Sequence, residues 1–152
     1  MSKYSINNPN SNVEIILPKQ GKSQAMPLFS VSVSAGFPSP ADDHMSGKLD
    51  LNEHLIQHPT ATFFVRVNGE SMIDASIHDG DLLIVDKALD AKDGDVVLAV
   101  LNGEFTVKRL AIKLDTTYLM PENKEFTPIE VTPEMEASIW GVVTNVIHRL
   151  RK

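Results

Sequence analysis

Short apolar runs separated by turn residues dominate the chain from about residue 60 onward. Asn102-Gly103 lies between two such runs and is typical of a two-residue hairpin turn, and the sequence HDGD at 78–81 indicates a second turn. Strand-length apolar segments occur at 61–67, 82–86, 95–101, 104–110 and 139–147, with weaker ones at 117–120 and 129–131. This pattern predicts a mostly β fold, a compact folded-over β structure.

One segment has a helical pattern instead. In DLNEHLIQH, residues 50–58, Asp50 is a suitable N-cap and Glu53 stands three residues later, as in a capping box. Pro59 follows and is expected to stop the helix. The sequence therefore predicts one short helix over 50–58.

Residues 1–35 differ from the rest in composition. They are rich in Asn, Ser, Lys and Gln, and they contain only two strand-like runs, at 13–17 and 28–34. A segment of this kind cannot bury much surface alone. We expect a mobile N-terminal arm over 1–35 and a single β domain over 36–152.

Composition restricts the class of function. The 152 residues include no cysteine, which excludes a disulfide scaffold, a thiolate nucleophile and cysteine-based metal sites, and which is typical of the cytoplasm. No apolar stretch is long enough to span a membrane, and the polar start lacks the apolar segment of a signal peptide. The net charge of −6 argues against binding DNA through a broad basic surface.

Several candidate sites have simpler interpretations. His54 and His58 are spaced i, i+4 on the predicted helix, but no third metal ligand accompanies them, so a structural role is favoured. A triad of Ser71, His78 and one of many aspartates is possible in any order, and therefore carries little information. The acidic stretch DGDLLIVD at 79–86 lacks the ligand spacing of an EF-hand calcium loop.

Ser71 and Lys108 form the stronger pair. Ser71 follows Gly69 and Glu70 directly after an apolar run, and Lys108 lies in the strand pattern EFTVKRL. A lysine turned toward an apolar environment loses its charge more easily, and a neutral lysine is a competent general base for a serine hydroxyl. From the spacing alone, an edge strand with a solvent-facing Lys-Arg pair is the simpler alternative. Strand alternation places Thr106, Lys108 and Leu110 on one face, and Phe105, Val107 and Arg109 on the other.

The order of these motifs resembles the LexA/UmuD family of self-cleaving serine peptidases. The matching blocks are GESM, DGDLLIVD and GDVVLAVLNGEFTVKRL, within a stretch from SAGFPSPADD to WGVVTNVIHRL. The resemblance implies a Ser-Lys dyad with Ser71 as nucleophile and Lys108 as base. It also implies self-cleavage before a glycine of the arm, here at the Ala35–Gly36 bond.

The resemblance implies partners as well. Repressors of the family carry an N-terminal helix-turn-helix, and the 35-residue arm is too short and too proline-broken for one, so no sequence-specific DNA binding is expected. The UmuD branch then implies cytoplasmic homodimers, cleavage stimulated by the RecA filament on single-stranded DNA, and a processed form that joins a UmuC-like Y-family polymerase. Replicative polymerase subunits are possible further partners, and no cofactor is implied.

Two other functions remain open at this point. One is a polymerase-interaction subunit without catalysis, and the other is a signal-peptidase-like protease, whose Ser-Lys core has similar motifs. The apolar run IWGVVTNVI at 139–147 is a plausible dimer interface, although a core strand is the simpler interpretation.

Overall fold

The computed structural model describes residues 13–17, 21–29, 36 and 45–151, which fall into two units, 1–19 with 58–152 and 20–57. In chain order the strands and the helix are β1 (Val13–Ile16), β2 (Met26–Phe29), β3 (Met45–Leu49), α1 (Leu51–Leu55), β4 (Thr62–Val67), β5 (Leu82–Asp86), β6 (Val96–Leu101), β7 (Glu104–Lys113), β8 (Thr116–Met120), β9 (Ile129–Val131) and β10 (Ala137–Ile147). The prediction of a mostly β fold with one short α-helix is confirmed.

The larger unit is built on one antiparallel sheet of eight strands, in the order β1-β4-β5-β10-β6-β7-β8-β9. The hairpin predicted at Asn102-Gly103 joins β6 to β7, with φ of 49° and 81° at these two residues. Positive φ at both turn positions is what a type I′ hairpin requires, which explains the Asn-Gly pair. Both β7 and β10 are interior strands. In the 139–147 run Val142 is buried in the core, whereas Ile139, Val146 and Ile147 are exposed.

The core of the larger unit lies on both faces of the sheet. One cluster includes Phe63, Val65, Leu83, Leu98 and Val107, and a second contains Val97, Ala99, Leu110 and Leu119. Because β6 and β7 contribute to both clusters, side chains of both alternating faces of these strands are buried. Continuous apolar runs such as VVLAVL result from this two-sided burial.

The smaller unit holds β2, β3 and the helix. The Asp50 carboxylate caps α1 by accepting the Asn52 N–H at 2.9 Å, and it also accepts the Ser23 hydroxyl at 2.8 Å. The helix ends at Leu55, so the predicted extent to residue 58 was too long. His58 stands before a 3₁₀ turn, Pro59–Ala61, and is therefore not on the helix with His54.

The arm contributes strands to both units. The run predicted at 13–17 forms β1, which pairs antiparallel with β4 at one edge of the large sheet. The run predicted at 28–34 begins as β2, whereas residues 30–34 lie outside the described residues. Among the described residues, no helix is both long and apolar enough to cross a membrane.

Candidate active site

Ser71 stands in the turn that follows β4. Gly69 has φ of 100°, a conformation that favours glycine, and its N–H donates to the Asp79 carboxylate at 2.7 Å. Met72, the next residue after Ser71, is 2% exposed and packs into the core. A short 3₁₀ turn at Ile73–Ala75 follows. Ser71 therefore lies between a glycine turn and a buried anchor, which limits the freedom of its backbone.

The segment after β8 holds this turn from the other side. The Glu122 N–H donates to the Ser71 carbonyl at 2.9 Å, and the Asp74 N–H donates to the Glu122 carbonyl at 2.7 Å. The Asn123 side-chain amide donates to the Glu70 carbonyl at 2.9 Å. Backbone and side-chain bonds thus fix the turn on both sides of Ser71.

Lys108 projects from the middle of β7, which lies between β6 and β8. The side chain is only 9% exposed. Its Nζ lies 2.9 Å from Ser71 Oγ, 2.9 Å from Thr106 Oγ1 and 3.0 Å from the Val107 carbonyl oxygen. The alternative of a solvent-facing lysine on an edge strand is therefore wrong.

Burial determines the charge state of this lysine. Desolvation lowers the pKa of Lys108 below its ordinary value of 10.5. No carboxylate contacts Nζ in the described part of the chain, and the three oxygens around it are uncharged. In its neutral form Nζ has a lone pair at hydrogen-bonding distance from the Ser71 hydroxyl. The pair can then transfer the hydroxyl proton to the amine.

Arg109 points the opposite way, as strand alternation requires. Its Nε donates to the Glu122 carboxylate, and its Nη1 donates to the Gly94 carbonyl at 2.6 Å. The two adjacent side chains thus make different contacts. Arg109 ties β7 to the loops on either side, and Lys108 faces Ser71.

A small cleft with a volume of about 70 Å³ opens onto the Ser71–Lys108 pair. Within the described part of the chain, the N–H groups of Ser71 and Met72 donate to no protein acceptor. The cleft therefore holds the Ser71 hydroxyl next to the Lys108 amine. It is lined by Val67, Asn68, Ser71, Met72, Phe105, Thr106, Val107 and Lys108.

His78 and His58 lie outside this site. The His78 ring contacts His148 and Asp81, and His58 Nδ1 lies 2.6 Å from the Asp86 carboxylate. The hydrogen-bonding partner of Ser71 Oγ is Lys108. The structure does not assemble the Ser71–His78–Asp triad, and the aspartates of the 79–86 stretch have separate partners.

The expected cleavage site is described only in part. Ala35 lies outside the described residues, whereas Gly36 is described and exposed. A Cβ atom built on Gly36 would meet no atom within 4 Å. Local packing therefore does not require glycine at this position.

Two contributors to the site were not singled out from the sequence. Strand alternation placed Thr106 on the same face as Lys108. This placement is the sequence signal for the contact between Thr106 Oγ1 and Lys108 Nζ. The contact of Glu122 with the Ser71 turn had no local signal, because the two residues come from distant parts of the chain.

Comparison with known proteins connects this geometry to a family. The family model for Peptidase S24-like proteins matches residues 27–144, which include Gly36, Ser71 and Lys108. The chain is 47% identical to the protein MucA of Salmonella typhimurium, over 80% of this chain and 83% of that protein. It is 45% identical to the protein ImpA of Shigella flexneri, over 89% and 92% of the two chains.

A repressor also matches. The chain is 43% identical to the LexA repressor of Vibrio atlanticus over 82% of its own length, but this covers only 60% of that protein. The resemblance to the LexA/UmuD family inferred from the motifs is thus confirmed by two relatives matched over most of their length and by a repressor matched over part of its length. Since the family model covers most of the sequence, the chain belongs to the Peptidase S24-like family, the LexA-type serine peptidases.

Proposed function

We propose that this protein cleaves its own chain between Ala35 and Gly36, with Ser71 as nucleophile and Lys108 as general base. The observation that carries the proposal is the 2.9 Å contact between Ser71 Oγ and the buried Lys108 Nζ. Burial lowers the pKa of Lys108, which increases the neutral fraction able to accept a proton.

The chemistry proceeds in two steps. Neutral Lys108 takes the hydroxyl proton of Ser71, and Oγ attacks the Ala35 carbonyl carbon. The N–H groups of Ser71 and Met72 stabilise the resulting oxyanion. As the C–N bond breaks, the Lys108 ammonium returns the proton to the Gly36 nitrogen. Ala35 then remains on Ser71 Oγ as an ester.

Water completes the reaction. Lys108, neutral again, removes a proton from a water molecule that attacks the ester carbonyl. The ester bond breaks, Ser71 recovers its proton, and the products are a chain ending at Ala35 and a chain beginning at Gly36. The arm reaches the cleft of its own chain or that of a second copy.

We further infer a UmuD-like role in the cell. The resemblance to UmuD and the similarity to MucA and ImpA over most of the chain support this role. In this proposal the RecA filament on single-stranded DNA stimulates cleavage in the SOS response by favouring the docked arm. The fragment 36–152 then forms a homodimeric, cytoplasmic subunit of a UmuC-like error-prone translesion polymerase.

A processing assay tests the proposal. The purified protein is incubated with RecA, single-stranded DNA and a non-hydrolysable ATP analogue, and the products are identified by intact mass. We expect one new fragment with the mass of residues 36–152, and no fragment from Ser71→Ala. A chain that stays intact would favour the non-catalytic interaction subunit, and cleavage of Ser71→Ala at the same bond would exclude Ser71 as the nucleophile.

A further inference from the structure

A cluster of His78, Asp81 and His148 lies outside the Ser71–Lys108 cleft. His78 and Asp81 belong to the turn before β5, and His148 follows the last residue of β10. The histidine ring centroids are 4.6 Å apart. One potential ligand atom from each of the three side chains lies within 4.8 Å of the other two.

Hydrogen bonds from neighbouring residues hold the Asp81 carboxylate at the centre of the cluster. Asp81 is 3% exposed, its Oδ2 accepts the His78 backbone N–H at 2.8 Å, and its Oδ1 is 2.5 Å from His148 Nδ1. Both oxygens of this buried carboxylate are therefore held by hydrogen bonds, one of them to the His148 ring.

One atom of the cluster lacks a partner. His78 Nδ1 is buried and makes no hydrogen bond to any described residue, and at 3.7 Å from Asp81 Oδ2 it is too distant to form one there. A buried polar nitrogen without a partner costs free energy. A His–Asp hydrogen-bonded pair accounts for His148 and Asp81, but it leaves this nitrogen unexplained.

We propose that His78, Asp81 and His148 bind one divalent first-row transition ion of the Zn²⁺ type. Two imidazole nitrogens and one carboxylate oxygen are ligands that suit Zn²⁺, whereas Ca²⁺ and Mg²⁺ prefer oxygen alone. Tetrahedral ligands of Zn²⁺ are about 3.3 Å apart, given bonds of about 2.0 Å. Atoms of the cluster up to 4.8 Å apart must therefore approach one another, whereas His148 Nδ1 and Asp81 Oδ1, now 2.5 Å apart, must separate. The half-exposed His148 at the strand end allows this adjustment.

The location of this cluster connects it to the Ser71 turn. The Gly80 N–H donates to the Val67 carbonyl at 2.8 Å, and the Val67 N–H donates to the Asp81 carbonyl at 2.9 Å. The Asp79 carboxylate accepts the Gly69 N–H. An ion bound to the 78–81 turn would thus brace the end of β4, from which the chain enters the Ser71 turn.

Titration of the full-length, untagged protein with Zn²⁺ alone tests the proposal. We expect one Zn²⁺ per chain in a calorimetric titration with a competing chelator, and a rise in the unfolding temperature by mass action. Removing one of three ligands, in His78→Ala or His148→Ala, should weaken binding at least about tenfold. His54→Ala is the control, because this exposed histidine lies outside the cluster, and it should bind as the unchanged protein does.

Co²⁺ provides a second readout that does not depend on stability. We expect the visible absorption of a four- or five-coordinate Co²⁺ ion in the unchanged protein and in His54→Ala, and its loss in His148→Ala. Circular dichroism of each variant confirms that it is folded. Absence of saturable Zn²⁺ binding in the folded protein, or equal binding in both cluster variants and the unchanged protein, would overturn the proposal.

Discussion

Burial of Lys108 and the three oxygens near its amine shift the pKa of Lys108 in opposite directions. Desolvation lowers the pKa of the amine, while acceptors at Ser71, Thr106 and Val107 stabilise the ammonium form. The net direction is downward. Burying the Lys108 ammonium costs free energy. The neutral amine next to the Ser71 hydroxyl is therefore more populated than in a solvated lysine.

This pKa has a consequence for stability. Because the folded pKa lies below the unfolded value of 10.5, the unfolded chain binds more protons between the two values, and Lys108 contributes more to stability as pH rises. Below the folded pKa the full penalty of burying the ammonium is present. In Lys108→Met this dependence is absent.

We therefore expect the unfolding free energy of the unchanged protein, relative to Lys108→Met, to increase between pH 7 and pH 10. Urea unfolding at several pH values measures it. The matched control is Lys113→Met, which removes an exposed lysine from the same strand. A difference for Lys108→Met that does not change with pH would contradict the lowered pKa of Lys108.

At the level of elements, β10 requires one particular residue. A Cβ atom built on Gly141 would lie 2.7 Å from Val85 Cγ1 and 3.1 Å from the Asp86 carbonyl oxygen on β5. The register of β10 against β6 shifts between Ile139 and Gly141. Glycine therefore allows the close approach of β10 to β5 beside this irregularity.

Gly141→Ala should reduce stability by about 1–3 kcal/mol, because the added methyl group overpacks a buried site that includes backbone atoms. Chemical denaturation measures the loss. Gly21→Ala is a suitable comparison, since a Cβ atom at this position would have no neighbour within 4 Å, and it should change stability little. Equal stability of the two variants would show that β10 can shift to relieve the contact.

The elements of the large sheet were predictable because local signals agree. Strand-length apolar runs predicted all eight strands of this sheet, most of them close to their observed limits, and Asn102-Gly103 predicted the β6–β7 hairpin. The strand β3 was missed, since Met45–Leu49 is short and interrupted by Gly47, with φ of 146°. The helix was predicted too long because Pro59 was expected to end it, whereas the chain leaves the helix after Leu55.

Contacts between distant segments were less accessible to sequence reasoning. The Ser71–Lys108 pair was identified through motif order, whereas spacing alone favoured a solvent-facing lysine. The interior position of β7 follows from its pairing with β8, which no local pattern specifies. The His78–Asp81–His148 cluster joins a turn to a strand end 67 residues away, so no local motif indicated it.

At the scale of the whole molecule, the proposed self-cleavage requires the arm to reach the cleft. Gly36 belongs to the unit of residues 20–57, and Ser71 and Lys108 belong to the other. In this proposal, cleavage depends on docking of the arm as well as on the Ser71–Lys108 pair. A substitution at Gly36 tests docking of the arm while Ser71 and Lys108 stay unchanged.

Gly36→Glu should prevent cleavage and leave the fold intact, because a Cβ at this position meets no atom whereas a long charged side chain hinders close approach to Ser71. Gly21→Glu is the matched control at an equally open glycine of the same unit, and it should be cleaved normally. Gel electrophoresis of the RecA-stimulated reaction compares them. A Gly36→Glu chain cut at the same bond at the normal rate would contradict the assigned site.

The central claim is that neutral Lys108 activates Ser71, and the pH dependence of self-cleavage tests it most directly. First-order cleavage is followed from pH 6 to 11 without RecA, with circular dichroism to confirm folding and Ser71→Ala as the blank. The account predicts a rate that rises about tenfold per pH unit and levels off above the apparent pKa of Lys108. Lys108→Ala should show no such reaction. A plateau already reached near pH 7, as a histidine base would give, or an unchanged profile in Lys108→Ala, would contradict the Ser-Lys mechanism.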